Sequence, residues 1–126
     1  PQAGPMTEMM CWEIAAEGIA NTVCGASTIY GPCGAWMIKT DYYTGMEARM
    51  LIDVSRAAAG MSLADANDLL KGILPKYDDA IKAQSAPVGK PFRECYDVDA
   101  IEPLDEYVQL WDDQKRELRA VGFEIA

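Results

Sequence analysis

The chain has 126 residues, half of them hydrophobic, and 20 acidic against 11 basic side chains give it a formal charge of -9. That length and apolar content suit one domain with a usable core. The charge repels a phosphate backbone and an anionic lipid surface alike. No apolar run approaches the roughly 18 residues that span a bilayer, so the sequence argues against nucleic-acid and membrane partners and for a cytoplasmic protein.

Residues 1–5, Pro-Gln-Ala-Gly-Pro, form an irregular approach to a helix. Met6, Met9, Met10, Ile14 and Ile19 are spaced as one apolar stripe, which predicts a helix from Met6 to about Ala20, interrupted by Gly18. From Asn21 to Thr44 the texture becomes glycine-rich, with short β-branched or aromatic runs. Strands near Thr22–Cys24 and Trp36–Thr40, joined by a turn at Gly31-Pro32, are expected there. A helix from about Met46 to Ala59 follows, with Met46, Met50, Leu51, Val54, Ala57 and Ala58 on one face and Gly60 at its end. In the next, Ser62 is a natural N-cap with Asp65 three residues on. Its stripe runs from Leu63 through Ala66, Leu69, Leu70, Ile73, Leu74 and Tyr77 to Ile81, and Pro75 should kink or divide it. A long, proline-rich connection, Gln84 to Glu102, leads to a last helix expected to start at Pro103 and to close at Gly122.

Few residue groups suggest chemistry. The chain has no histidine, which removes the usual general base, the Ser-His and Cys-His nucleophile arrangements and the commonest metal ligand. Cys11, Cys24, Cys33 and Cys95 form no C-x-x-C pair and are expected to be reduced, small hydrophobes. Glycines 25, 31 and 34 lie in no G-x-G-x-x-G or G-K-[ST] pattern, which argues against a nucleotide loop. The acid pairs Asp78-Asp79, Asp105-Glu106 and Asp112-Asp113 diverge on a helix, and they read as solvated faces, as do Glu47 and Arg49. Thr7 and Glu8 stand apart. They follow a Gly-Pro approach at a helix start, a position that lies at the substrate mouth of barrel enzymes, although helix capping accounts for them more simply.

Several segments carry a resemblance. AGPMTEM (Ala3 to Met9), TGMEARM (Thr44 to Met50), RAAAG (Arg56 to Gly60), SAPVGKPFRECYDV (Ser85 to Val98) and DEYVQLWDDQKRELRAVGF (Asp105 to Phe123) occur in this order. Together they resemble the closing section of the monomethylamine methyltransferases of methanogenic archaea and some bacteria. Gln2, Met10, Trp12 and the stretch Ser27 to Trp36 differ from the archaeal pattern.

The resemblance implies an α/β fold, the C-terminal part of a TIM-type (β/α)8 barrel followed by a helical C-terminal section, with this chain mostly helical and bearing a few short strands. Residues 1–44 would hold the last barrel elements and residues 45–126 the helical section packed on the barrel. The implied reaction moves the methyl group of monomethylamine to the cobalt of a corrinoid (cobalamin) carried by a separate corrinoid protein, with release of ammonia. A complete barrel takes on the order of 250 residues, so the upstream part of the same enzyme is an expected partner, and the apolar stripes are expected to cover its strands. The family's pyrrolysine, acids and glutamine match no position here. The implied catalytic, cofactor-binding and metal residues of this chain are therefore none, with Thr7 and Glu8 as substrate-mouth candidates. The family also implies a homo-oligomer. The rival readings are a catalytically silent helical interaction module, a homologue acting on another methylated amine, and a thiol-based redox or metal protein.

Overall fold

The computed structural model describes residues 1–126. It is mostly helical with two short strands: α1 (Glu8–Val23), α2 (Gly45–Ala58), α3 (Leu63–Ile73), α4 (Asp78–Lys82), α5 (Phe92–Cys95), β1 (Tyr96–Asp97), β2 (Glu102–Pro103) and α6 (Asp105–Ala120). No helix is long and apolar enough to cross a membrane.

The helix signals are sound, and the strand signals are not. Thr22 and Val23 belong to α1, and Cys24 is its C-cap. A β-branched residue in a terminal turn costs a helix only a few tenths of a kcal/mol, roughly up to 0.7, and the chain turns away only at Gly25, whose φ is +78°. At Trp36–Thr40 there is no strand but a single turn of 3-10 helix, Ala35–Met37, with φ of 50°, 57° and 61°. Such left-handed residues cannot lie in a pleat. The observed strands fall instead at the end of the expected connection and on the expected helix start, as an antiparallel pair with Tyr96 opposite Pro103. Asp97 Oδ1 closes the tip by accepting from the Asp99 and Ala100 backbone N–H groups, each at 3.0 Å. Pro103 is therefore a strand residue, and the last helix starts at Asp105 with Leu104 as its cap.

Pro75 does divide the third apolar pattern. α3 ends at Ile73, a 3-10 turn spans Leu74–Lys76, and α4 begins after Tyr77. Ser62 caps α3 as expected, its Oγ accepting from Asp65 N at 3.1 Å. The buried part of the stripe narrows to Ala66, Leu69 and Ile73, while Leu63 is 68% exposed.

The core is a continuous cluster of 22 residues drawn from α1, α2, α3, α6 and the C-terminal tail, with Ala3 of the N-terminal segment and Cys95 of α5. Met10, Ile14 and Ile19 of α1, Met46, Met50 and Val54 of α2, Ile73 of α3, Tyr107, Trp111 and Leu118 of α6, and Phe123 are among its fully buried members. The stripes expected to cover strands outside these residues meet one another instead. Gly18, which reads in the sequence as a break in the α1 stripe, is what brings α1 and α2 together: a Cβ there would stand 2.7 Å from Val54 Cγ1.

Candidate functional site at the start of the first helix

Residues 1–5 are held from two sides. On one, Ala35 N donates to Ala3 O (3.0 Å) and Trp36 N to Pro1 O (3.2 Å); on the other, Gly4 N donates to Pro87 O (2.9 Å) and Lys90 N to Pro5 O (3.0 Å). The second crossing works only with glycine. A Cβ on Gly4 would meet Val88 O at 1.6 Å, and one on Gly89, at φ +73°, would meet Pro5 O at 2.3 Å. From behind, the largely buried Glu13 carboxylate accepts from Gln2 N at 2.8 Å and Ala3 N at 2.9 Å, one on each oxygen. Charge-assisted bonds of this kind are about twice as strong as neutral ones.

The chain then turns into α1 through Met6, which has φ 64° despite its side chain. Thr7 is the N-cap. Its hydroxyl donates to Gly4 O at 2.7 Å and its Oγ1 accepts from Met10 N at 3.3 Å. Glu8 is exposed in the first turn, where its charge suits the helix dipole. It lines a polar cleft of ≈ 540 Å³ with Trp12, Lys76, Gln114, Arg116 and Glu117. Within it the Lys76 ammonium stands over the Trp12 ring, 5.3 Å from its centroid. The structure thus brings both sequence candidates to one turn, with Thr7 facing the backbone and Glu8 the cleft.

Behind that turn lies a group that sequence reasoning placed wrongly. Glu47 is not on a solvated face but wholly buried. It completes a capping box: Thr44 N donates to Glu47 Oε2 at 2.5 Å, and Met46 N to Thr44 Oγ1 at 3.1 Å. The Tyr107 hydroxyl, brought in by α6 and equally buried, donates to Glu47 Oε1. Burial pushes the Glu47 carboxyl above its ordinary range, against the hydrogen bonds from Tyr107 and Thr44 that favour its charge. Burial, then the Glu47 charge, pushes the Tyr107 phenol up in turn. The T-x-x-E pattern at Thr44–Glu47 is a readable sign of the cap. Nothing local announces the tyrosine, 60 residues away.

Two thiols flank this pair. Burial raises Cys11 to about 12, with the Glu47 and Glu8 charges adding to it, and Cys95 to about 11, with Glu47 adding. Both are protonated at neutral pH and poor nucleophiles. All four cysteines are free, and no group of three or more His, Cys, Asp or Glu side chains converges as a metal site.

Comparison with known proteins identifies the family of the chain. The sequence profile described as "Monomethylamine methyltransferase MtmB" matches residues 1–123. Over 122 residues the chain is 42% identical to monomethylamine methyltransferase MtmB of Methanosarcina mazei, covering 97% of this chain and 26% of that protein. It is 41% identical to MtmB2 of Methanosarcina barkeri over the same shares. The crystal structure of the Methanosarcina barkeri monomethylamine methyltransferase superposes with a TM-score of 0.94 at 40% identity, covering 98% of this chain and 27% of that one. A hydroxylamine complex of MtmB gives the same values. The chain belongs to the monomethylamine methyltransferase family and corresponds to its C-terminal portion, spanning about a quarter (26%) of the length of the curated relatives it matches.

Proposed function

We propose that these residues are the C-terminal part of an enzyme that transfers the methyl group of monomethylamine to a corrinoid held by a separate protein, releasing ammonia. The family match along residues 1–123 carries this reading. The corrinoid cobalt supplies the methyl acceptor.

In this reading, residues 1–44 close a (β/α)8 barrel and residues 45–126 pack on it. Residues 1–5 lead through the Met6–Glu8 turn into α1, and in barrels the links from strand to helix build the substrate mouth. Thr7 fixes that link as its cap, and Glu8 presents a carboxylate where a cationic amine approaches. The groups that bind and activate the methylamine come from the rest of the enzyme.

A face around the N-terminal segment supports a larger body. Tyr30, Trp36, Met37 and Ile38 are 83%, 61%, 75% and 79% exposed, and Trp36 lines clefts with Pro1 and Gln2. So many neighbouring apolar side chains in water mark a surface meant to be covered, here by the rest of the barrel or a second copy of the enzyme. The catalytically silent module is the second reading. It is favoured by the continuous core and by an accessible surface of 7024 Å² for 13.8 kDa, near the ~6,600 Å² of a compact monomer.

The test is the full-length enzyme with its corrinoid protein and monomethylamine, dimethylamine or trimethylamine, followed by the absorbance change of corrinoid methylation. Methylation with monomethylamine alone is expected. Transfer from another amine only would reassign the substrate, and transfer from none would leave the silent module.

A further inference from the structure

The polar cleft that Glu8 lines holds a group its surroundings leave unsatisfied. Gln114 of α6 lies along it, only 3% exposed, and its Nε2 has no hydrogen-bond partner. Buried polar groups are nearly always paired, because a donor left without an acceptor has lost its water for nothing. Leucine would fill similar space on this face of α6 without that penalty. The last torsion of a glutamine is soft, so the amide can turn its N–H groups toward the cleft.

The other lining groups define the acceptor that suits Gln114. Lys76 forms no salt bridge within the chain, and its ammonium stands over the Trp12 ring. Asp113 and Arg116 pair with each other, while Glu8 and Glu117 have no cationic partner. Three carboxylates against two cations leave the lining negative, which disfavours an anion. A cation brings no acceptor for Gln114. A primary amide meets both demands: its carbonyl accepts from Gln114 or Lys76, and its NH2 donates to Glu8 or Glu117. Trp12 and Leu110 add an apolar wall for the carbon arm that carries it.

The acceptor cofactor of the function proposed above is a ligand of this kind, since a corrinoid ring carries primary amides on short carbon arms around its edge. We propose that this cleft recognises the rim amides of the corrinoid, with Gln114 and Lys76 as donors and Glu8 and Glu117 as acceptors. The inference rests on that function and names the residues of this chain that meet the ring.

The test measures binding of free cobinamide to the full-length enzyme by equilibrium dialysis, apart from any turnover. Gln114→Leu should weaken binding about tenfold, as for one lost hydrogen bond, while the unfolding midpoint holds or rises because the unpaired amide is gone. Lys76→Met should weaken binding similarly, and Lys71→Met, on α3 outside the cleft, should leave it unchanged. Cobyrinic acid, with carboxylates in place of the amides, should bind more weakly than cobinamide. An enzyme that binds no cobinamide, binds it equally well with Gln114→Leu, or prefers cobyrinic acid would overturn the proposal. Methyl transfer is assayed separately with the corrinoid protein. If transfer occurs but cobinamide binding ignores Gln114, the cleft assignment fails and the function stands. If no methyl group moves while binding still depends on Gln114 and Lys76, the function fails and the cleft stands.

Discussion

Replacing Gly18 by alanine sets two effects of similar size against each other. Alanine is better than glycine in a helix interior by about 0.8–1 kcal/mol. Against that, the new Cβ would stand 2.7 Å from Val54 Cγ1 and 3.3 Å from Leu51 Cδ1, and overpacking of a filled core costs typically about 1–3 kcal/mol. Val54 is wholly buried between the two helices and has no room to give way, so the net should be destabilising by about 1 kcal/mol. Val54→Ala alone should cost about 2–3 kcal/mol through lost burial and the cavity left. In the double variant the methyl introduced by Gly18→Ala occupies the space that Val54 Cγ1 vacates. The pair should then be more stable than the sum of its parts by about 1–2 kcal/mol. Chemical denaturation of the wild type, both single variants and the double variant measures the cycle. Additivity within about 0.5 kcal/mol would refute the close α1–α2 seam on which the core depends.

Glu13→Ala removes both acceptors that hold Gln2 N and Ala3 N, and it should cost about 2–4 kcal/mol, since bonds to a charged group contribute roughly 1.5–3 each and only part of that is lost where water enters. Exchange at residues 1–5 should rise with it, and an unchanged exchange pattern would show that the carboxylate is not the anchor. The buried Glu47 carboxyl has its folded-state value raised above the ordinary 4.5, so its contribution is fully present below that pH and is lost as the pH rises through the folded value. Glu47→Gln does not titrate. The stability advantage of the wild type over Glu47→Gln, measured by denaturation at pH 4 and pH 7, should therefore shrink toward pH 7, and a growing advantage would contradict the burial argument.

The helices were legible because their stripes are periodic and their ends carry recognisable chemistry: Ser62 before α3, Pro75 at its division, and Gly60 and Gly122 past two helix ends. The strands misled because β-branched and aromatic residues at Thr22–Cys24 and Trp36–Thr40 mimic strand composition. What decides the second case is the left-handed run at Ala35, Trp36 and Met37, and no glycine marks it. The true strands are two residues each, too short for any period, and depend on Asp97 for their turn. The candidate site was half legible. Thr7 and Glu8 stood out as a helix start, whereas the burial of Glu47 depends on a tyrosine that only the packing of α6 on α2 brings near. The family resemblance held where the residue-level reading ran out, because it drew on the order of whole segments.

If this chain is one part of a larger methyltransferase, its apolar face around Trp36 is covered in the working enzyme. Methionine oxidation in the full-length enzyme tests that directly at Met37, which is 75% exposed here, with the wholly buried Met50 as the internal reference. Met37 is expected to oxidise nearly as slowly as Met50. Rapid, solvent-like oxidation of Met37 in the assembled, active enzyme would contradict the claim.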